Sequence, residues 1–116
     1  MAEPVELRLE RGRRVLVIVY DDEKVFELPC EYLRTHSPSA EVRGHGLSEP
    51  KLMTGKHEVN IDRIEPVGSY AVALHFDDGH DTGIYSWSFL YELGSNMAAN
   101  QARYRERLEA AGMEEQ

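Results

Sequence analysis

The residues that could do chemistry in this sequence are concentrated in FDDGHDTGIYSW, the stretch from Phe76 to Trp87. Asp78-Gly79 is the pair that a two-residue type I′ hairpin turn prefers. In such a hairpin Asp77 lies opposite His80, and His75 lies on the same side. Two imidazoles and a carboxylate would then be close enough to share one metal ion or one proton-transfer site. The alternative interpretation is a polar strand face on which His80 hydrogen bonds to the carboxylates of the turn.

Other catalytic chemistry has little support. His75, Phe76 and Asp77 form the His-x-Asp half of a two-histidine, one-carboxylate iron site, but the third ligand is missing. A chain of 116 residues is also too short for the usual oxygenase barrel and its substrate pocket. Cys30 follows a proline at a predicted helix start, and we expect it to be a buried structural cysteine rather than a nucleophile. No glycine pattern predicts a nucleotide-binding loop, so we predict that the chain is not an enzyme.

The predicted hairpin fixes which side chains share a face. With a two-residue turn at Asp78-Gly79, Phe76 pairs with Asp81 and Val72 pairs with Tyr85. One face then carries most of the large apolar groups, and the other carries polar ones. The first face holds Tyr70, Val72, Leu74, Phe76, Asp81, Gly83, Tyr85 and Trp87; the second holds His75, Asp77, His80 and Thr82.

Strands are also predicted in the first part of the chain. Apolar and β-branched residues predict strands over residues 5–9, 14–20 and 24–28. Every position of VLVIVY is apolar, so its strand should be central in its sheet or covered on both faces. Pro29 begins a predicted short helix, CEYLRTH.

The remainder of the chain is predicted to contain a loop, an edge strand and two helices. Residues 44–57 lack a clean period and are assigned to a loop. Residues 59–67 predict a strand with an irregularity, at a sheet edge because of Pro66. Ser86 should cap a helix that ends at Gly94, and Ser95 should cap a second helix. We therefore predict an α+β fold: a small, mostly antiparallel sheet with short helices, a domain over residues 1–94, and a C-terminal helix and tail over 95–116.

Composition limits the partners of the chain. Twenty-one acidic residues against 13 lysines and arginines give a net charge of −8, which disfavours nucleic acid. The longest uncharged apolar run is far shorter than the roughly 20 residues of a membrane-spanning helix. The first residues lack the apolar segment of a secretory signal. We therefore expect a soluble, cytoplasmic protein, a monomer or weak homodimer, with a protein as its partner.

Two longer stretches resemble a known family. ELPCEYLRTHSPSAEVRGHG and GKHEVNIDRIEPVGSYAVALHFDDGHDTGIYSWSFLYEL are similar to the small bacterial domains related to the amino-terminal domain of gamma-butyrobetaine dioxygenase. The resemblance covers about residues 5 to 94. Such domains also occur attached to some P-loop iron–sulfur carrier proteins. The free-standing bacterial members are domains of unknown function, so the resemblance implies a fold without a mechanism.

The resemblance also implies a site that this sequence has changed. In the dioxygenase, three cysteines after a Leu-Arg pair and the histidine of an Asp-Gly-His turn hold a structural zinc. Leu33-Arg34 matches that pair and His80 matches the histidine, whereas the cysteine positions fall on Ser37, Ser39 and Val42. Hydroxyls are poor zinc ligands at neutral pH and valine is none. We expect a hydrogen-bonded polar cluster in place of the metal, and therefore no cofactor.

Two functional hypotheses follow. The first is a non-catalytic binding or adaptor domain, linked by the fused relatives to iron–sulfur protein maturation. Its partner would meet the acidic turn and the aromatic residues after it, which are Asp78, Asp81, Tyr85 and Trp87; packing of these aromatic residues in the core is the alternative. The second hypothesis is an accessory protein that binds zinc or iron through His80, His45 and His36 with nearby carboxylates.

Overall fold

The computed structural model describes residues 2–39 and 55–112. The first sheet is antiparallel, with strand order β1 (Pro4–Glu10), β2 (Val15–Tyr20) and β3 (Val25–Pro29). The central position predicted for VLVIVY is confirmed. Alternation along β2 turns three large side chains into the core and the valines to the other face. The three are Leu16, Ile18 and Tyr20, each at most 1% exposed.

The second sheet is also antiparallel and consists of β4 (Ile61–Val67), β5 (Ala71–Phe76) and β6 (Ile84–Ser86). Its register shifts between Ile61 and Arg63, which confirms the predicted irregularity, and Pro66 lies on an edge strand as expected. Val72 pairs with Tyr85, so the predicted hairpin register is confirmed for the strands. The ladder between β5 and β6 is short, because residues 77–83 lie outside both strands.

Three helices complete the described part of the chain: α1 (Cys30–Thr35), α2 (Trp87–Ser95) and α3 (Met97–Ala110). Ser86 caps α2, since its hydroxyl accepts a hydrogen bond from the Phe89 amide at 3.1 Å. The predicted ends around Gly94 and Ser95 were wrong, because α2 includes both residues and Asn96 precedes α3.

Close packing explains why a glycine stands within α2. A methyl group at Gly94 would come within 2.4 Å of the Phe26 ring on β3. The glycine therefore lets the helix lie directly on the first sheet, where Phe26, Tyr20 and Tyr91 make edge-on ring contacts.

One core joins the sheets and helices. It takes side chains from both sheets, α1 and α2. Tyr32 connects α1 to α2 by donating its hydroxyl to Leu93 O at 2.7 Å. The Tyr104 ring of α3 lies 5.3 Å from the ring of His36, at the end of α1.

The fold is α+β, as predicted. No helix in residues 2–39 or 55–112 has the length and apolar character that crossing a membrane requires.

Candidate functional site

The polar corner consists of Ser37, Ser39, His80 and Thr82, where the chain leaving α1 meets the β5–β6 turn. Ser37 Oγ lies 3.0 Å from His80 Nε2, and the Ser39 amide donates to Ser37 Oγ at 3.2 Å. Ser39 Oγ lies 2.6 Å from Thr82 Oγ1. Ser37 is fully buried and His80 is 5% exposed. The two segments are thus joined by a buried hydrogen bond between Ser37 and His80 and a partly buried one between Ser39 and Thr82.

The turn itself aims His80 at this corner. Gly79 has φ of 93°, which favours glycine, and the Phe76 amide bonds to His80 O at 2.9 Å. The His80 amide donates to Asp78 Oδ1 at 3.1 Å. The β5–β6 ladder ends at the Ala73–Ile84 pair, and His80 meets the Phe76 amide instead of lying opposite Asp77 as predicted. Strand alternation therefore no longer determines where His80 points.

The placement of His80 on the same face as His75 was therefore wrong. His75 belongs to β5 and lies on the face away from the core, with its Nε2 2.5 Å from Glu65 Oε1. His80 is buried against Ser37 instead. The proposed grouping of two imidazoles and one carboxylate does not form.

Asp78 anchors the turn to two other segments. Its Oδ2 accepts from Arg34 Nε at 2.8 Å and from Lys56 Nζ at 2.6 Å. Partial burial by itself raises the pKa of the Asp78 carboxyl. Hydrogen bonds from Lys56, the His80 amide and Arg34 outweigh this and lower it to about 2. Asp78 is therefore ionised at neutral pH, and its carboxylate holds Arg34 of α1 and Lys56 against the hairpin.

Close packing at Gly83 holds the corner together. A Cβ atom built at Gly83 would lie 2.6 Å from Ser37 Oγ and 2.9 Å from Tyr85 Cε1. No larger residue fits without displacing one of them. Tyr85 in turn donates its hydroxyl to Leu33 O at 2.6 Å, so strand β6 is joined to α1 two residues after the glycine.

The Ser37–His80 contact has the distance of a nucleophile and its general base. However, Ser37 has no exposed surface, so a substrate atom cannot reach its Oγ in this structure. Cys30 is equally inaccessible, as predicted: it is fully buried, and burial raises the pKa of its thiol to about 11. Neither residue is placed to act as a nucleophile.

Comparison with known families and structures identifies relatives of the chain. The family described as gamma-butyrobetaine hydroxylase-like, N-terminal, matches residues 7–91. The chain belongs to this family. A comparison with curated proteins found no match.

Solved structures support the family assignment. An NMR solution structure is 50% identical, with 99% of this chain and 86% of that chain covered and a TM-score of 0.86. A second NMR structure is 42% identical, covers 97% and 89%, and has a TM-score of 0.83. A crystal structure of a DUF971 protein of unknown function from Acidithiobacillus ferrooxidans is 37% identical, covers 78% and 91%, and has a TM-score of 0.67.

The residues at the corner do not fit the zinc site implied by the resemblance. Ser37 and Ser39 offer hydroxyls, and Ser37 is hydrogen bonded to the His80 imidazole. In the described ranges, no three histidine, cysteine, aspartate or glutamate side chains are grouped as metal ligands. We derive no metal chemistry from this corner.

Of the other two histidines proposed as ligands, His36 is among the described residues. His36 packs between the rings of Tyr32 and Tyr104, and its Nδ1 lies 3.1 Å from Tyr32 O. The same nitrogen lies 3.1 Å from Thr35 Oγ1, so the His36 ring is held within α1 and its C-terminal end. His45 and Val42 lie outside the described residues.

The residues proposed for partner binding occupy three environments. Tyr85 is fully buried, as the core-packing alternative expected, and Asp78 is neutralised by two cations. Trp87 packs partly against the core and donates its indole N–H to Ser69 O at 3.2 Å. Asp81 is exposed. Contact with a partner stays a prediction for these residues, and Tyr85 is the one among them without accessible surface.

Sequence reasoning did not find Arg34 and Lys56 as partners of Asp78. Arg34 was noted only through the family resemblance, and Lys56 was assigned to a loop. Both lie far from Asp78 in sequence, and charge alone does not identify a partner over such separations. The sequence also could not show which of the three aspartates of the turn, Asp77, Asp78 or Asp81, would bond to these two cations, because that depends on the geometry of the turn.

Proposed function

We propose that this chain is a non-catalytic protein-binding domain that acts as an adaptor. The observation that carries the proposal is that Ser37 and His80 are buried and bonded to each other, while the Asp78 carboxylate is paired with Arg34 and Lys56. These side chains are the ones best suited to chemistry, and they are used to fix one segment against another. What the domain presents to solvent is a folded acidic surface.

Charge supports a partner with a basic surface. The net charge of −8 attracts cationic proteins and repels nucleic acid. Asp78 contributes little to this attraction because Arg34 and Lys56 already neutralise it. Because similar domains occur attached to iron–sulfur carrier proteins, a protein of iron–sulfur maturation is the first client to test. A cytoplasmic location agrees with that client.

Affinity capture from cell extract tests the proposal. The immobilised chain should retain the same protein in replicate experiments, and the purified pair should bind in solution with an affinity that falls as salt rises. The matched control is a chain in which several exposed acids are changed to amides, which should retain less of that protein.

Two results would contradict the adaptor function. One is a failure to retain any protein at low and at moderate salt. The other is turnover of a small molecule by the isolated chain, which would show that the domain is catalytic.

A further inference from the structure

The outward face of the first sheet is divided into two parts with different surfaces. This is the face opposite the core, to which Val15, Val17 and Val19 of β2 point by alternation. Val17 is only 1% exposed although it lies outside the core cluster. At the other end of the same face, Val25 is 56% exposed.

Charged side chains account for the closed part. Val17 pairs with Arg8 on one side and Glu27 on the other, so their aliphatic stems lie beside it. Arg8 bonds to Glu10 at 3.0 Å, and Arg13 bonds to Glu27 at 2.5 Å. Arg13 also bonds to Glu10, so these ion pairs link β1 to β3 through the β1–β2 turn, on the face where Val17 is almost fully buried.

The open part, which we call the valine end, consists of Val5, Val19 and Val25. Val19 pairs with Val25 on β3 and with Glu6 on β1. The register shifts between Pro4 and Glu6, and the extra residue, Val5, is 64% exposed. Val5 and Val25 are two of the four large apolar side chains found exposed in the described residues, and they flank the same strand.

Acidic residues surround the valine end. Asp21, Asp22 and Glu23 form the β2–β3 turn, and Glu3 precedes β1. The Asp21 amide donates to Glu3 O at 2.8 Å and the Glu3 amide donates to Asp21 Oδ1 at 3.0 Å, which holds these acids beside one another. Lys24 is the base within this turn, so acids exceed bases by three among these five residues.

Resting on the proposed function, we propose that the valine end is the docking surface of the domain and that it binds a basic segment of a partner protein carrying apolar side chains. The valines supply apolar area that can be desolvated, and the carboxylates around them attract lysine or arginine. The ion-paired half of the same face has its charges satisfied and its valine covered, so it offers neither. The site is distinct from the β5–β6 turn and requires no movement of the core.

Titration of the isotope-labelled full chain, followed by amide NMR shifts, tests the proposal with two synthetic peptides. The probe alternates lysine and valine, and the control alternates glutamate and valine. We expect the lysine peptide to shift the amides of residues 3–6 and 19–25, and the glutamate peptide to leave them unchanged. Shifts confined to residues 77–87, or equal binding of both peptides, would overturn the proposal.

Substitutions at the valine end show which of its side chains contribute to the affinity for the lysine peptide. The double change Val5→Ser and Val25→Ser should weaken binding of the lysine peptide at least about tenfold. The pair Asp21→Asn and Glu23→Gln should lower the affinity and its salt dependence, since an asparagine oxygen can still accept from the Glu3 amide. Glu109→Gln, which changes an exposed acid of α3 outside the valine end, is the matched control and should bind like the natural chain. Unchanged affinity in the valine variant would overturn the proposal.

The same valine variant separates this inference from the proposed function. If it retains the partner captured from extract as well as the natural chain does, the valine end is not the docking surface but the adaptor function stands. If the natural chain retains no partner, the adaptor function and this inference both fail.

Discussion

The polar corner and the valine end hold side chains in opposite environments. At the corner, Ser37 and His80 are buried and hydrogen bonded. At the valine end, Val5 and Val25 are exposed beside carboxylates. Burying polar groups costs free energy unless they are paired, and exposing apolar groups forgoes the gain from burial. At the corner the buried polar groups are paired. At the valine end the apolar side chains stay in water, and the folded chain gains nothing from their burial.

This contrast separates two ways in which a residue can matter. A satisfied polar cluster that joins α1 to the β5–β6 turn is explained by stability alone. A pair of exposed apolar groups rimmed by carboxylates adds little burial to the fold and is the kind of surface that marks an interaction site. Function is therefore better sought at the valine end, although the sequence had drawn attention to the histidine.

The largest expected difference between the two regions comes from truncating a side chain in each. Tyr85→Ala removes a fully buried ring and its bond to Leu33 O, and should lower the free energy of unfolding by about 3–5 kcal/mol. Val25→Ala should change it by no more than about 0.5 kcal/mol. Urea unfolding of both variants measures this. A stable Tyr85→Ala protein with impaired partner binding would instead make Tyr85 an anchor.

A single methyl group should also disturb the corner. Gly83→Ala places Cβ against Ser37 Oγ and the Tyr85 ring, and should cost about 1–3 kcal/mol of unfolding free energy. Gly12→Ala is the control, because no atom lies within 4 Å of its added Cβ. Thermal unfolding compares the two; equal midpoints would show that Ser37 is not held against the hairpin.

Asp78 should give the corner a dependence on pH. Its folded pKa of about 2 is below the ordinary aspartate value of about 4, so its stabilisation is complete above about pH 4 and is lost as the pH falls through about 2. Asp78→Asn should be less stable by about 1–2 kcal/mol at neutral pH, after allowing for solvent screening.

Urea unfolding over this pH range measures the Asp78 effect. The difference between the natural chain and Asp78→Asn should shrink with acidification, while Asp81→Asn should match the natural chain throughout. A constant difference would show that the Asp78 charge does not stabilise the fold.

The smallest effect is expected at the valine end itself. Val5→Ser with Val25→Ser should change the free energy of unfolding by no more than about 0.5 kcal/mol for each position, because both side chains are largely in water. A large loss of stability would mean that these valines support the fold and would weaken their assignment to docking.

Local pattern was sufficient for most of the fold. Continuous apolar residues predicted β2 as a central strand, and Asp78-Gly79 predicted the register that pairs Val72 with Tyr85. The error at Gly94 arose because a glycine ends many helices, whereas here it makes room for the Phe26 ring. That contact joins distant parts of the chain and has no local signature.

The site was less predictable for the same reason. Strand alternation placed His80 beside His75, but the chain leaves the ladder at the turn and buries His80. Ser37 and Ser39 were matched to cysteine zinc ligands of the dioxygenase domain through the family resemblance, and a hydrogen-bonded cluster was expected at these positions. The exposure of Val5 and Val25 depends on a register shift and on which charged stems reach across the sheet, neither of which the residue pattern encodes.

Elemental analysis of untagged protein, purified without chelators, tests most directly whether the polar corner is sustained by its own hydrogen bonds. We expect metal far below one equivalent and no loss of stability after exposure to a chelator. One equivalent of zinc or iron that disappears in His80→Ala would contradict the account. The corner would then bind a metal ion, and hydrogen bonds alone would not hold it together.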